Sequence, residues 1–176
     1  MLQKLHPLLI CALLIALGVV NTFAYAPYQY SFMPLLTLPV LALAIWHAQS
    51  PKQAAWFGWS YGIGWFGLGV SWVHVSIATF GGMPLVFSLG IMAALVAYLA
   101  LFPALAAWLA ASFGRNTVIA FPVAFTLAWV ISENLRSWLF TGFPWLSLGY
   151  TQTTGYLAAW APLIGEIGIT FVIAYF

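Results

Sequence analysis

The side chains able to do chemistry in this chain are few, and they stand out against an apolar background. Glu133 and Arg136 are three residues apart, which places them on one face of a helix where they can pair. Ionisable groups at membrane depth cost roughly 2.5–3.5 kcal/mol on insertion scales, so they usually face a bundle interior or a wet cavity. The pair is therefore interpreted either as a structural ion pair or as part of a functional site.

Glu166 and His74 are the next candidates. Glu166 lies near a predicted helix start, where a carboxylate interacts favourably with the helix dipole. Buried inside a bundle it would need a cation, and Arg136 is the only one predicted at that depth. His74 lies near Ser71 and Ser76, but no nucleophile elbow of the form G-x-S-x-G supports a hydrolase. A hydrogen-bonded or hydrated histidine at a helix end is the preferred interpretation.

Thiolate and metal chemistry receive little support from the composition. Cys11 is the only cysteine, so the chain predicts neither an internal disulfide nor a thiolate cluster. Because Cys11 lies in an apolar run, a small buried hydrophobe is favoured over a nucleophile. The three histidines are scattered, and neither a metal site nor a cofactor is predicted.

The elements that must position these residues are membrane helices. Of 176 residues, 65% are hydrophobic and 3% are charged, whereas a soluble domain carries roughly 25% charged residues. A chain this apolar needs lipid as its solvent. The net charge of +2, without any basic run, predicts no nucleic-acid partner. The sequence therefore predicts an all-α, polytopic transmembrane helix bundle.

About six spans are predicted, because a helix needs ~20 apolar residues to cross a hydrocarbon core ~30 Å thick. We interpret the first as a retained helix, although a secretory signal peptide has a similar outline. The fourth is long, with a kink expected at Pro103. The sixth is still apolar at Phe176, which predicts a truncated last span and a fragment of a longer protein. The spans are approximately Leu8–Ala24, Phe32–His47, Ala54–Val75, Pro84–Ala111, Val118–Leu139 and Leu157 onward.

Three basic residues predict the orientation of the chain. Lys4 precedes span one, Lys52 lies between spans two and three, and Arg115 lies between spans four and five. These loops alternate, so all three fall on one side of the membrane. The positive-inside rule makes that side cytoplasmic and places the N-terminus there.

The segment 139–150 is the most distinctive stretch. It is apolar, yet Gly142, Pro144 and Gly149 argue against a continuous helix. Non-helical backbone at membrane depth is tolerated only when it packs on protein or lines a cavity. The segment is therefore either an aromatic anchor loop or the lip of a lipid-accessible cavity, roofed by the predicted turn 79–84.

Several of these stretches resemble the membrane part of bacterial apolipoprotein N-acyltransferase. The resemblance covers essentially the whole chain in the same order, and its Gly, Pro and Trp spacings are more specific than an apolar composition. The matching stretches are 23–28, 72–84, 133–136, 141–146 with Gly149-Tyr150, and Ala161-Pro162 leading to Gly165-Glu166.

The resemblance implies a function in lipoprotein maturation in the bacterial cytoplasmic (inner) membrane. Members of this family move an acyl chain from a phospholipid to the free amine of the lipid-modified N-terminal cysteine of lipoproteins. The chemistry runs through a cysteine thioester, assisted by a glutamate and a lysine, in a periplasmic nitrilase-like domain that follows a seventh span. The resemblance thus makes residues 1–176 an N-terminal transmembrane domain, inactive alone, that lacks this domain and carries no catalytic residue.

The resemblance also implies which residues meet lipid. Trp145 matches a tryptophan of the family's Phe-Pro-Trp-Leu motif, close to the entrance of the active site. A tentative lipid or substrate portal is assigned to Phe143, Pro144, Trp145, Tyr150, Gly81 and Gly82, and Glu133 and Arg136 are expected to hold it in place. The implied partners are a phospholipid donor, a lipid-modified apolipoprotein acceptor and the periplasmic domain. A multi-span transporter or channel subunit and a structural membrane scaffold are the alternatives.

Overall fold

The computed structural model describes residues 6–115 and 117–176, which form helices without a strand in these two ranges. Lys4 lies outside the described residues. The helices are α1 (Pro7–Thr22), α2 (Met33–Trp46), α3 (Pro51–Gly69), α4 (Val73–Gly81), α5 (Leu85–Leu99), α6 (Leu101–Phe113), α7 (Ala120–Trp138) and α8 (Ala161–Tyr175). Short 3₁₀ helices at Leu139–Thr141, Leu148–Gln152 and Tyr156–Trp160 lie between α7 and α8. The all-α prediction is confirmed.

Helix α3 is the centre of the bundle and packs against α1 on one side and α6 on the other. Small residues bring α1 and α3 together, because Gly18 faces the backbone of Tyr61 and Gly64 faces that of Ile15. A Cβ atom at Gly64 would lie 1.9 Å from the Ile15 carbonyl oxygen. Such close approach of backbones is typical of helices that associate in lipid.

The polarity of the bundle is that of a membrane protein. Large apolar side chains cover its outside, among them Leu8, Phe80 and Val86. Polar side chains lie inside, where the Thr37 hydroxyl lies 3.1 Å from Asn21 Oδ1 and 3.0 Å from the Tyr61 hydroxyl. A soluble protein shows the opposite distribution.

The structure places helices at each of the predicted spans, but their lengths differ. Two stretches are long and apolar enough to cross a membrane, namely Leu85–Phe113 and Tyr156–Tyr175. A third is added if α3 and α4, bent by 47°, form one broken span. Helices α1 and α2 are shorter apolar helices. The membrane bundle is confirmed, and the number of six spans stays a prediction.

Two breaks differ in position from the predicted ones. The third span was predicted to run to Val75, but α3 ends at Gly69, where the Ser71 hydroxyl donates to the Leu68 carbonyl and competes with the helix. The fourth span breaks between α5 and α6 at Ala100, one turn before Pro103. Proline removes the hydrogen bond to the carbonyl four residues earlier, so its effect appears upstream.

Lys52 and Arg115 lie at the same end of the bundle, as their alternation predicts. The Arg115 guanidinium donates to the Ala48 carbonyl, in the connection that precedes Lys52. It also donates to the Ala111 carbonyl at 3.1 Å. We call this the basic end, and the connection between α7 and α8 lies at the opposite end of α7.

Candidate functional site: a clamped loop between α7 and α8

The backbone after α7 is non-helical, as the sequence predicts. Phe140, Thr141 and Leu146 have positive φ angles of 50°, 76° and 59°. Non-glycine residues are uncommon in this region, and each such residue costs about 1–3 kcal/mol unless its surroundings hold it. The segment 139–150, which we call the portal loop, therefore depends on contacts with the rest of the protein.

Gly142 allows the portal loop to leave α7 sharply. Its φ angle is 81° and its ψ angle is 150°, a conformation available mainly to glycine. A Cβ atom there would lie 2.0 Å from the Ser137 carbonyl oxygen. The loop then returns to α7, where the Phe143 amide donates to the Arg136 carbonyl at 2.9 Å.

Arg136 holds the first half of the portal loop from inside the bundle. Its side chain is 2% exposed, and Nη1 donates to the carbonyls of Phe143 at 2.7 Å and Trp145 at 2.6 Å. The guanidinium carbon lies 5.3 Å from the centre of the Phe66 ring. One planar group thus satisfies two carbonyls that the loop leaves without helical partners.

Glu133 holds the second half of the loop. Its Oε1 atom lies 3.7 Å from Arg136 Nη2 and accepts the Leu148 amide at 2.8 Å. Its Oε2 atom accepts the hydroxyls of Ser147 at 3.1 Å and Thr170 at 3.0 Å. The carboxyl is buried and connects α7, the portal loop and α8.

Glu166 faces the same two hydroxyls from α8. Its Oε1 atom contacts the Ser147 hydroxyl, and the Thr170 hydroxyl lies 3.1 Å from the same atom. Gly165 breaks α8 with a φ angle of 66°, so Glu166 begins the regular part of the helix. Both acidic residues of the chain thus meet at one point.

The portal loop also packs closely on α8 and on the α1–α2 connection. A Cβ atom at Gly149 would lie 2.4 Å from the Glu166 carbonyl oxygen, so only glycine fits there. The Tyr25 hydroxyl donates to the Leu146 carbonyl at 3.0 Å. Burial raises the pKa of the Tyr25 phenol well above its usual range, and the Glu133 charge raises it further. The phenol therefore remains a donor at neutral pH.

The portal loop presents an aromatic surface. Trp145 is 59% exposed and Tyr150 is 45% exposed, and Pro144 is also exposed. Phe143 is half-buried and packs edge to face with Trp145, at 5.1 Å between ring centres. A small cleft of about 40 Å³ runs from Pro144 and Tyr150 down to the two carboxyl groups.

Gly81 and Gly82 do not take part in this arrangement in the described structure. They end α4, where Gly82 adopts a φ angle of 62°, and the chain turns there into α5. No atom lies within 4 Å of a Cβ atom placed at Gly82. The structure shows no portal-loop contact at either glycine, so the roof over the loop stays a prediction.

His74 and Cys11 lie elsewhere. His74 is in α4, and its Nδ1 atom contacts the Ser71 carbonyl of the preceding turn. Cys11 is half-buried in α1, whose residues lead up to the α1–α2 connection that meets the portal loop. Neither residue belongs to the cluster around Glu133.

Sequence reasoning missed three residues of the cluster, Ser147, Thr170 and Tyr25. Thr170 carried a usable signal, because it follows Glu166 by four residues and therefore shares its helix face. Ser147 is the one hydroxyl residue between Pro144 and Tyr150. Tyr25 is 121 residues away from its partner Leu146 and carried no local signal.

Comparison with known proteins points to one family. Residues 17–176 match the family described as apolipoprotein N-acyltransferase N-terminal domain. The chain is 44% identical over 166 residues to the apolipoprotein N-acyltransferase of Methylococcus capsulatus, covering 93% of this chain and 33% of the relative. It is 46% identical to those of Vibrio vulnificus over 157 residues and Vibrio cholerae over 159 residues, covering 89% and 90% of this chain and 31% of each relative. The chain spans about a third of the length of these curated relatives.

Proposed function

The chain belongs to the apolipoprotein N-acyltransferase family, whose N-terminal domain it matches, and we propose that it is the membrane platform of such an acyltransferase. The reaction moves an acyl group from a phospholipid ester to the free amine of a lipid-modified N-terminal cysteine. An ester C–O bond breaks, an amide C–N bond forms, and the amine proton goes to the released lysophospholipid hydroxyl. Lipoprotein maturation in the bacterial inner membrane is the proposed role.

The observation that carries this proposal is the clamped portal loop. A strained backbone persists only where its surroundings over-determine it, and such sites often serve binding or catalysis. Here Arg136 and Glu133 fix the backbone, while Trp145 stays 59% exposed at its tip. A rigid, exposed indole beside an apolar bundle is suited to meet acyl chains and headgroups, because its ring is apolar and its N–H is polar.

We assign the portal to Phe143, Pro144, Trp145 and Tyr150, and we assign the pair Glu133–Arg136 to holding it. Gly81 and Gly82 stay in the proposal as the turn from α4 into α5, at the surface of the bundle. The covalent step is assigned to a periplasmic nitrilase-like domain, which is the remaining proposed partner. No catalytic role is assigned within residues 1–176.

The orientation follows from the basic end. With Lys52 and Arg115 facing the cytoplasm, the portal loop and the N-terminus fall on opposite sides, the loop on the periplasmic side. That side is the one on which lipoprotein N-termini and the proposed catalytic domain meet. Tagging the N-terminus with a reporter that is active only in the cytoplasm tests this orientation, and an inactive reporter would overturn it.

The decisive experiment replaces Trp145 with alanine in the full-length protein. We expect Trp145→Ala to lower acyl transfer about tenfold or more, because a displaced substrate loses its reactive geometry. The assay follows a labelled acyl chain from a phospholipid to a diacylated lipopeptide with a free amine, at equal amounts of membrane-inserted protein.

A matched control is Trp56→Ala. Trp56 is 62% exposed, similar to Trp145, but it lies in the second turn of α3 near the basic end. We expect its transfer rate to stay near that of the wild type. Equal rates for the wild type and Trp145→Ala would remove the portal role, and equal losses in both variants would reduce it to a general effect of surface indoles.

The transporter alternative has less support than the acyltransferase platform. A transporter would place ionisable groups along a path near the membrane centre. Among the described residues, Lys52 and Arg115 lie at the basic end, and the other charged groups gather around the portal loop. The clustering of charge beneath one aromatic surface favours a platform that supports a site.

A further inference from the structure

The cluster beneath the portal loop contains more oxygen contacts than its hydroxyl hydrogens can fill. The hydroxyls of Ser147 and Thr170 each lie within hydrogen-bond distance of both Glu133 Oε2 and Glu166 Oε1. These are four oxygen–oxygen contacts. Each hydroxyl carries one hydrogen and can donate once, so two contacts have no hydrogen if both carboxyl groups are ionised.

The backbone does not supply the missing hydrogens. The Leu148 amide donates to Glu133 Oε1, which is not one of the shared oxygens. The Gly149 amide donates to the Thr170 hydroxyl oxygen at 2.9 Å, which occupies one of its lone pairs. Thr170 can still donate its own hydrogen and accept one more. A proton on one carboxyl group fills a third contact.

The charges around the cluster lead to the same count. Arg136 is the cation that lines the cleft, and two carboxylates would leave an excess negative charge in a largely buried place. The remaining titratable groups nearby are the phenols of Tyr150, at the cleft, and Tyr25, which faces the Leu146 carbonyl. Both are neutral donors or acceptors and do not balance a second carboxylate.

We propose that Glu133 and Glu166 share one proton through Ser147 and Thr170, so that the pair carries a single negative charge opposite Arg136. The proton belongs to the pair rather than to either residue, as expected for strongly coupled carboxyl groups. The cluster then joins α7, residues 147–149 and α8 without a buried excess charge. Glu166 is thereby a positioning residue for the portal loop, and this last step rests on the proposed function.

Infrared spectroscopy of the full-length protein tests the shared proton directly. A protonated carboxyl group has a C=O stretching band separate from that of a carboxylate. We expect difference spectra to show that Glu133→Gln and Glu166→Gln each remove the same band at neutral pH, because the remaining carboxyl group ionises opposite Arg136. Absence of this band from the wild type, or its persistence in both variants, would overturn the proposal.

Thermal unfolding supplies a second readout that does not depend on acyl transfer. Each single variant keeps one anion for Arg136 and a polar amide in place of a carboxyl group, so its melting temperature should fall by no more than about 3 °C. The double variant leaves Arg136 without an anion and should fall by about 8 °C or more, well beyond the sum. Additive single effects would contradict the shared charge.

Acyl-transfer assays on the same variants separate this inference from the proposed function. Loss of transfer in the double variant, with both single variants active, supports a positioning role for the pair. If Trp145→Ala transfers normally while the infrared and thermal results hold, the proposed portal fails and the shared proton stands. If the band is absent while Trp145→Ala is inactive, the reverse conclusion follows.

Discussion

The interface of α1 with α3 and the junction of α7 with α8 are held together by different physical means. At the first, Gly18 and Gly64 let two backbones touch, and shape complementarity excludes any side chain. At the second, a strained loop is held by Arg136, Glu133 and their hydrogen-bond partners. The first contact depends on volume and the second on charge and donors. Substitutions that alter only one of these properties should therefore affect only one region.

The largest expected effect is steric and belongs to the α1–α3 interface. Gly64→Ala places a methyl group 1.9 Å from the Ile15 carbonyl oxygen, and the helices must separate to admit it. We expect a loss of about 3 kcal/mol or more in the free energy of unfolding, at the upper end for overpacking. Thermal unfolding in detergent and the amount of membrane-inserted protein measure it.

The matched control lies one turn along the same helix. A Cβ atom at Gly67 meets no atom within 4 Å, so Gly67→Ala should be neutral or stabilise α3 by up to about 1 kcal/mol through helix propensity. Equal losses at Gly64 and Gly67 would show that the α1–α3 contact is not the reason.

The next effect belongs to the portal loop and separates charge from geometry. Arg136→Lys keeps the positive charge but loses the planar group that reaches two carbonyls and a carboxylate. Because buried carbonyls are left without partners, we expect a loss of about 2–4 kcal/mol. Thermal unfolding measures the stability, and protease sensitivity between α7 and α8 reports on the loop itself.

Arg115→Lys is the corresponding control at the basic end. Arg115 is half-buried and donates to the carbonyls of Ala48 and Ala111, where water can replace its contacts. We expect a loss of about 1 kcal/mol or less. A loss at Arg115 as large as that at Arg136 would contradict the difference between the two ends.

The sequence was informative wherever local chemistry determines the structure. Apolar runs identified the helices, and Gly142 and Pro144 identified a non-helical segment, because their backbone preferences do not depend on tertiary context. The spacing of Glu133 and Arg136 placed them on one helix face. The basic end followed from the alternation of Lys52 and Arg115.

Contacts between distant parts of the chain could not be predicted in this way. Glu133 and Glu166 are separated by 33 positions, and a single sequence does not reveal that a break at Gly165 turns the second carboxyl group toward the first. The bend after α3 was missed because it depends on one hydroxyl, Ser71, taking a carbonyl from the helix. The proposed roof at Gly81 rested on turn chemistry alone, which places a turn but not its neighbours.

The smallest effect tests whether the portal loop is held from the α1–α2 connection as well as from α7. Tyr25→Phe removes one hydroxyl and leaves the Leu146 carbonyl, at a residue with positive φ, without its donor. We expect a loss of about 1 kcal/mol, the net value of one hydrogen bond. Tyr156→Phe is the control, because Tyr156 is fully exposed and should change nothing. If Tyr25→Phe is as neutral as Tyr156→Phe, then α7 and α8 alone hold the loop, and its dependence on polar contacts narrows to the cluster of Arg136, Glu133 and Glu166.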